Sequence, residues 1–464
     1  MAVEYNGHLN LDQPERYSDL FFWQQSSLSA QDILVLFGLK SAPLNEQKWM
    51  ELTHHSMAGL ALHPGATTLR EAPVFTHRPG LAHHQEMKER WASLRGSLET
   101  RWLKEQAHRY ETKRAYWADL FASEGIKLYL SWFKYDGTHC AIADALESVG
   151  GISAVYQRAY EGHPSPETAV HTDIVFGFSQ STAEIERQSG SVIPYHVTTG
   201  YLGDHRFPLL REQAQQTRNA LKRRGAARFI SFSDENSHED ERWTMGHRIT
   251  RENYAFLLGK VLEESWLGLL IKPKVPSTLR KRLGPVAQLL QRAEETGRCF
   301  VYGTGTFHGS YPPAAAAMAA DVHIHGHLCA GTAGLEAALA GVPTLLLDRE
   351  GWSVSPLYRL GVGRVVFKEW PSLWKACLEQ WNHPGGVPGF GDWFPFLDEM
   401  DPFRDGRAAE RMGTYIQWLL EGFKAGLGRQ TVLADAAERY AAVWGKDKVR
   451  SVDSVSGQLL RIPA

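Results

Sequence analysis

Three histidines at alternate positions open a stretch whose residue types could bind either a metal or a phosphate. His323, His325 and His327 precede the small-residue run CAGTAG, a short helical segment and the apolar run VPTLLLD. Side chains alternate along a strand, so the three imidazoles would share one face, and a His-x-His pair can bind zinc. The small-residue turn would instead suit the nucleotide-binding corner of a doubly wound domain. These residues by themselves leave both interpretations open.

The metal interpretation needs further ligands, which the sequence does not supply nearby. No HExxH motif or Cys/His cluster accompanies the histidines, and the 4 cysteines are scattered without CxxC spacing. We therefore predict no metal here, and we expect reduced cysteines that serve as packing residues. His327, closest to the turn, is a candidate contact for a bound ligand, whereas His323 is expected to be a hydrogen-bonded packing residue.

The turn after the histidines has the composition of a phosphate-binding helix start. Gly331, Ala333 and Gly334 leave little side chain to block a ligand. Thr332 is a candidate cap, and the free N–H groups and positive dipole end of the helix favour a phosphate. Glu336, one turn further, could accept both hydroxyls of a ribose. Alternatively, the small residues only let the helix pack on a sheet, and Glu336 compensates the helix dipole.

Polar or small residues also follow the neighbouring predicted strands. Lys272 and Lys274 stand at one strand exit, separated by a proline that restricts the turn, and both are expected to face one crevice. Acids follow another strand in FSDEN (232–236), and the turn YGTGTFHGS (302–310) offers Thr304 among its donors. Ligands bind at the carboxyl ends of strands in open α/β sheets, so these turns predict one site. A solvated strand end is the alternative for the lysines.

The elements that position these residues alternate between apolar and amphipathic segments, the pattern of parallel sheets covered by helices. A first series of strands is predicted at 32–40, 126–133, 151–157, 172–178 and 191–197. A second series is predicted at 227–235, 267–275, 298–304, 320–328, 342–348 and 363–369. Helices are expected between the second strands, near 250–265, 278–296, 313–319, 332–340 and 371–381.

Length and composition set the wider limits. A chain of 464 residues with 43% hydrophobic residues is expected to form two globular domains. The 50 basic and 52 acidic residues nearly balance, so no global charge favours nucleic acid. The N-terminus lacks the pattern of a signal peptide and no apolar run is long enough to span a bilayer, so a cytoplasmic location is expected.

The run ADVHIHGHLCAGTAGLEAALAGVPTLLLDREG resembles an element of GT-B glycosyltransferases, and IKPKVPSTL is similar to the Lys-Pro turn of members that build polysaccharides. The resemblance covers about 227–369 and is strongest to bacterial surface and capsular polysaccharide transferases. It implies an α/β fold of two Rossmann-like, doubly wound domains that face a cleft. We expect an acceptor-side domain at 1–220 with a helical insertion near 84–123, a nucleotide-sugar domain at 227–400, and C-terminal helices at 401–464 that pack back on the first domain.

The resemblance implies transfer of a sugar from a CMP-, CDP- or UDP-linked donor, without a metal or cofactor. A hexosyl- or Kdo/sialic-type transferase acting on a capsule, lipopolysaccharide or glycolipid precursor is expected, with peripheral contact to the membrane or a biosynthetic complex. Lys272, Lys274 and the helix at Thr332 would stabilise the leaving phosphate. The base is expected from the first domain, where Asp136 and His139 follow an apolar strand.

Several alternatives remain open in the sequence. Asp136 could instead cap a helix, and Asp234, Glu235, Glu239, His54 and His55 are other candidate proton-transfer residues. A sugar-nucleotide epimerase of the same fold would reuse the nucleotide turn and need paired acids. A non-catalytic relative in a biosynthetic complex would keep the fold and could lose the base.

Overall fold

The structure, a computed structural model, describes residues 98–452 except 133, 135–136, 240–244 and 304–310, together with three short strands nearer the N-terminus. The chain divides into two compact units. Met1–Arg158, Pro164–Gly200 and Ala409–Ala464 form the first unit, and Ala159–His163 and Tyr201–Ala408 form the second. The strand predicted at 32–40, the first part of the insertion at 84–97, His55, Asp136 and Thr304 lie outside the described residues.

The strands between Leu128 and Phe367 match the segments predicted as strands, whereas the three short strands nearer the N-terminus and the strand nearest the C-terminus were not predicted. The strands are β1 Ala2–Glu4, β2 Leu20–Phe22, β3 Thr53–His54, β4 Leu128–Ser131, β5 Ile152–Tyr156, β6 Ile174–Gly177, β7 Ile193–Thr198, β8 Arg228–Ser233, β9 Leu267–Lys272, β10 Cys299–Val301, β11 Val322–His325, β12 Thr344–Leu347, β13 Val366–Phe367 and β14 Val449–Val452. The helices are α1 Leu98–Ser123, α2 Thr138–Ser148, α3 Gln180–Ser189, α4 Phe207–Lys222, α5 His247–Glu263, α6 Leu279–Leu283, α7 Val286–Glu295, α8 Pro313–Ala317, α9 Thr332–Leu339, α10 Trp370–Asn382, α11 Phe394–Met400, α12 Ala408–Lys424 and α13 Arg429–Trp444.

The first unit is built on a mixed sheet with the strand order β14-β7-β6-β5-β4-β1-β2-β3. Strands β1, β4, β5, β6 and β7 pair in parallel with one another, whereas β2 is antiparallel to β1 and β3, and β14 is antiparallel to β7. Helix α1 buries Trp117 and Phe121 against Tyr129 of β4 and Leu146 of α2. In the same unit, Arg429 at the start of α13 forms an ion pair with buried Asp173.

The second unit contains a parallel sheet with the order β10-β9-β8-β11-β12-β13. Counted from β8, this is the order 3-2-1-4-5-6 of the doubly wound dinucleotide-binding fold, in which the order reverses between β8 and β11. One face of the sheet carries apolar side chains, among them Phe232 and Ile324, that pack against α5, α7 and α10. The opposite face buries Phe229 and Leu270 against α4 and α8.

The fold class is confirmed: both units are α/β, and the sheet of the second is doubly wound. All six strands predicted for the second unit are present, although the last shrinks to Val366–Phe367. The helix predicted at 278–296 is divided into α6 and α7, because Gly284 adopts a φ of +55° and Pro285 follows it.

The division between the units differs from the predicted boundary. The second unit begins at Tyr201, so α4 belongs to it rather than to the first. Ala214 and Leu221 of α4 explain this placement, because they pack in one core with Phe229 and Leu270 of the second sheet. Residues 401–408 also belong to the second unit, whereas α13 and nearly all of α12 belong to the first. Within the described part of the chain, no helix combines the length and apolar character needed to cross a bilayer.

Candidate functional site

The reversal of strand order in the second sheet places two strand ends side by side. Strands β8 and β11 are hydrogen-bonded neighbours, yet helices and strands between residues 234 and 321 separate them along the chain. In open α/β sheets, connections leave such a pair in opposite directions, and ligands bind in the crevice that results. The residues that follow β8, β9 and β11 therefore form the candidate site, which we call the carboxyl edge of the second sheet.

A polar row crosses three strands at this edge. Ser233 at the end of β8 lies in register with Lys272 of β9 on one side and with His325 of β11 on the other. Side chains in register on parallel neighbours point to the same face, so these three share the face that α8 and α9 cover. Ser233 is 1% exposed and its hydroxyl has no hydrogen-bond partner among the described residues.

Lys272 is a buried cation at the centre of this edge. The residue is only 7% exposed, and its ammonium group makes no hydrogen bond or ion pair with any residue that the structure describes. Burial lowers the pKa of Lys272, while the more distant carboxylates of Asp234, Glu336 and Glu235 act in the opposite direction. An anion bound at this edge would supply the close counter-charge that these carboxylates do not.

Asp234 has a structural role beside the lysine. Its carboxylate accepts hydrogen bonds from the Tyr254 hydroxyl at 2.8 Å, from the main-chain N–H of Lys274 at 2.6 Å, and from the Arg282 guanidinium at 3.3 Å. Burial raises the pKa of Asp234, although the charge of Arg282 opposes the shift. The cluster ties β8 to α5, α6 and the Lys-Pro turn, so it holds the strand ends in place.

Glu235 and Lys274 form an ion pair at the more exposed part of the edge. Burial disfavours the charged form of Glu235, but Lys274, His327 and His325 together keep the pKa of its carboxyl below the ordinary value. The Lys274 side chain is 55% exposed, in contrast to Lys272. The two lysines predicted to face one crevice thus have different environments: one is paired and exposed, and the other is buried without a partner among the described residues.

The three histidines differ in environment. Strand β11 ends at His325, so His327 lies in the following turn rather than on the predicted strand face. His323 contacts the Ser231 hydroxyl at 2.8 Å, and His325 approaches the carbonyl oxygens of Ser233 and Ala330, each at 3.3 Å. Burial lowers the pKa of His323 to about 3 and that of His325 to about 4.

His327 instead pairs with Glu350, which follows β12. Its Nδ1 lies 2.7 and 2.9 Å from the two carboxylate oxygens of Glu350. Across both units, no three His, Cys, Asp or Glu side chains of the described residues are grouped so that they could hold a metal ion.

The start of α9 corrects the predicted cap. Gly331 occupies the N-cap position, and the helix begins at Thr332. No side chain caps this helix start with a hydrogen bond. The Thr332 hydroxyl instead accepts a hydrogen bond of 2.7 Å from the main-chain N–H of Tyr160. A side chain at Gly331 would collide with Leu357, and one at Gly334 would press on Leu346 and Trp393, so both glycines permit close packing.

The front of α9 has half-buried side chains and main-chain amides outside the helical hydrogen bonds. Ala333 and Thr332 are half-buried at the front of the helix. The first intrahelical bond runs from the N–H of Leu335 to the carbonyl of Gly331, so the amides of residues 332–334 precede the helical ladder and point out of its N-terminus.

Glu336 is engaged inside the second unit. Its buried carboxylate accepts hydrogen bonds from the Tyr201 hydroxyl and, at 2.7 Å, from the main-chain N–H of Ala314 at the start of α8. The predicted contact with a ribose stays a prediction, and any such contact would share this carboxylate with two protein donors. The charge of Glu336 raises the pKa of Lys272 against the effect of burial, so the two groups lie within range of each other's charge.

The residues predicted to act as the base belong to the first unit. His139 lies in the first turn of α2, where its Nε2 is 3.3 Å from the main-chain N–H of His171 and from the Cys140 thiol. Asp136, its predicted companion, lies outside the described residues. Their proposed roles therefore stay predictions.

Several residues of the edge were not predicted from the sequence. Glu350, Ser233, Arg282, Tyr201 and Tyr160 all contact or neighbour the predicted residues. The run DREG after β12 was a detectable signal, because it is a charged strand exit like those considered. Ser233 lies in the run FSDEN, of which only the acids were considered, and the other three have no local signal, since their partners lie far away in the sequence.

No family model matches the chain, and no curated protein matches it in sequence. Solved structures with some similarity include S. aureus MnaA with UDP, at 12% identity over 68% of this chain and 82% of that one, with a TM-score of 0.41. A trehalose 6-phosphate synthase from Burkholderia multivorans has 13% identity, coverages of 78% and 80%, and a TM-score of 0.39. UDP-GlcNAc 2-epimerase from Methanocaldococcus jannaschii has 12% identity, coverages of 67% and 81%, and a TM-score of 0.37.

Proposed function

We propose that the chain is a glycosyltransferase that binds a nucleotide-activated sugar at the carboxyl edge of the second sheet. The observation that supports this most directly is the buried ammonium group of Lys272, which has no ion-pair partner among the described residues. A cation in such a place costs free energy unless an anion joins it. The phosphate of a nucleotide is an anion of suitable charge, and the doubly wound order puts nucleotides at this edge.

Two neighbouring groups favour a phosphate in particular. The buried Ser233 hydroxyl lies in register beside Lys272 and can donate a hydrogen bond. The amides of residues 332–334 at the front of α9 can donate to phosphate oxygens, and the helix dipole adds positive potential. Lys274 and His327 lie at the same edge, each paired with a carboxylate of the chain.

In the proposed reaction, an acceptor hydroxyl attacks the anomeric carbon as the bond to the phosphate breaks. Lys272 and the α9 amides would stabilise the charge that develops on the leaving phosphate, a task that requires neither metal nor cofactor. Asp136, with His139 assisting, is our proposed base for the acceptor hydroxyl. A CMP-, CDP- or UDP-linked donor and a glycan or glycolipid acceptor of bacterial surface polysaccharide synthesis are part of the same proposal.

The acids of the second unit make an epimerase the weaker alternative. Epimerisation needs carboxyl groups able to exchange protons with the sugar. Asp234, Glu235, Glu336 and Glu350 are acids near the carboxyl edge, and each is hydrogen-bonded or ion-paired with protein groups. A transferase that takes its base from the first unit does not require any of them to be free.

A binding screen tests the proposal. Thermal shift and titration calorimetry with UDP, CDP, CMP, GDP and dTDP should show stabilisation by at least one nucleotide. K272M should weaken that binding at least tenfold, since it removes a charge-assisted contact of about 1.5–3 kcal/mol. K375M, which changes an exposed lysine on α10, is the matched control and should bind normally. Failure of all five nucleotides to bind, or unchanged binding by K272M, would contradict the proposal.

A further inference from the structure

His327 and Glu350 form a nearly isolated charge pair at the carboxyl edge. The Glu350 side chain is 1% exposed and that of His327 is 11% exposed. Both carboxylate oxygens lie within 2.9 Å of Nδ1, and they make no other hydrogen bond to a described residue. A buried carboxylate is costly when unpaired, so Glu350 requires a proton on Nδ1 of His327.

This arrangement determines which ring nitrogen can exchange a proton. Because Nδ1 carries hydrogen toward Glu350 in both charge states, Nε2 is the nitrogen that gains or loses one. Nε2 of His327 makes no hydrogen bond to any residue that the structure describes. His327 itself lies between the end of β11 and the start of α9, on the same edge as Lys272 and Ser233.

Other charged groups act on His327 from the surrounding elements. Glu350 after β12 and Glu235 after β8 favour the imidazolium, whereas Lys274 after β9 and neighbouring His325 oppose it. Cys329, in the same turn, has a pKa raised to about 11 by burial and is therefore neutral near pH 7. Burial also works against the charged form of His327, but the bond and charge of Glu350 raise its pKa above the ordinary value.

We propose that His327, oriented through Nδ1 by Glu350, donates its Nε2–H to a phosphate oxygen of the bound nucleotide. The inference rests on the proposed function and adds a specific property to it: binding of the nucleotide requires a proton on His327. Lys272 supplies a buried ammonium group without a described partner, whereas His327 supplies an imidazole ring whose charge depends on the proton at Nε2. Nucleotide affinity is thus linked to proton uptake.

Calorimetry with the best-binding nucleotide of the screen tests this linkage. Titrations between pH 7 and 9, in buffers of different ionisation enthalpy, measure affinity and proton uptake together. This range lies above the second phosphate pKa of about 6, and titrations of H327Q over the same range account for the remaining ionisation of the ligand. We expect net proton uptake on binding, and an affinity that falls roughly tenfold as His327 loses its proton, as expected for loss of a charge-assisted hydrogen bond.

Variants separate this role from a purely structural one. E350Q keeps the hydrogen-bond geometry but removes the charge, so the loss of affinity should move to lower pH. H327Q should take up fewer protons on binding than the wild type and bind roughly tenfold more weakly at pH 7. H383Q, which changes an exposed histidine after α10, should match the wild type. E350Q changes the charge beside His327 and leaves Lys272 in place, so a shift of the pH dependence in E350Q keeps the test decisive if H327Q folds poorly.

The outcomes are distinguishable. Nucleotide binding without proton uptake, or binding by H327Q that equals the wild type at every pH, overturns the inference and leaves the proposed function standing. Absence of binding by all five nucleotides overturns both together.

Discussion

The main-chain N–H of Tyr160 donates a hydrogen bond of 2.7 Å to the hydroxyl of Thr332, across 172 positions of sequence. One residue further, Glu161 forms an isolated antiparallel bridge with Ala330. The segment Ala159–His163 is therefore part of the second unit, although it follows a strand of the first. The hydroxyl predicted to cap α9 serves this segment instead.

Replacing Thr332 by valine should destabilise the protein by about 1–3 kcal/mol, since the Tyr160 N–H would lose its acceptor in a half-buried place. T332S retains the hydroxyl and is the matched control. The free energy of urea unfolding measures both variants. Equal stability of T332V and T332S would show that the hydrogen bond contributes little.

Replacing Lys272 by methionine should stabilise the nucleotide-free protein near pH 7 by about 1–3 kcal/mol, because an unpaired buried charge is removed. Burial lowers the pKa of Lys272 from 10.5, so between the folded value and 10.5 the unfolded chain binds a proton that the folded chain does not. The contribution of Lys272 to stability should therefore rise with pH through that window, and the difference between the wild type and K272M measures it.

In K272M this rise should disappear, and urea midpoints measured at intervals up to pH 10.5 provide the comparison. K375M should retain the wild-type dependence. A K272M variant that is less stable than the wild type at pH 7 would mean that the ammonium group has a favourable contact within the folded chain.

Two buried histidines predict a loss of stability in acid. The pKa of His323 is about 3 and that of His325 about 4, against an ordinary value of 6.5. As the pH falls from 6.5 toward those values, the unfolded chain takes up protons that the folded chain excludes, so stability decreases. Each histidine contributes a slope of up to about 1.4 kcal/mol per pH unit.

H323L removes one of the two titrating histidines. The slope of the unfolding free energy against pH should therefore decrease between pH 6 and 4 by up to about 1.4 kcal/mol per pH unit. Hydrogen exchange of amides in β8 and β11 follows the change in the second unit. H383Q, at an exposed position, should leave the slope as it is. An unchanged slope in H323L would show that His323 takes up its proton as readily in the folded chain as in the unfolded one.

Asp234 is expected to be among the most sensitive positions of the carboxyl edge. D234N removes the charge that faces buried Arg282, and breaking such a pair costs about 3–5 kcal/mol. Y254F removes only one hydrogen bond to the same carboxylate and should cost about 1 kcal/mol. Urea unfolding of the two variants ranks them, and a D234N cost no larger than that of Y254F would contradict the ion-pair interpretation.

Much of the second unit could be predicted from local pattern. Apolar runs mark its strands because each strand is buried on both faces, as the continuous burial of β9 and β11 shows. The glycines and small residues at the start of α9 are also a feature of local composition, so this helix start could be predicted. The break at Gly284 between α6 and α7 was missed, because the amphipathic pattern continues through it.

The partners of the site residues could not be predicted in this way. Thr332 was expected to cap its own helix, but a hydroxyl accepts from whichever donor the fold brings near, and here that donor is Tyr160. Glu336 was expected to be available for a ribose, yet Tyr201 and Ala314 donate to it. Neither pairing leaves a trace in local composition.

The sequence by itself determined which segments become strands and which polar residues stand at their ends, because burial and backbone propensity act over a few neighbouring residues. Only the tertiary structure decided that β8 lies between β9 and β11, which places Ser233 beside both Lys272 and His325. Strand order follows from packing across whole layers of the unit. The tertiary structure therefore also determined the environments of the two lysines in the Lys-Pro turn. Lys272 is buried without a described partner, whereas Lys274 is paired with Glu235.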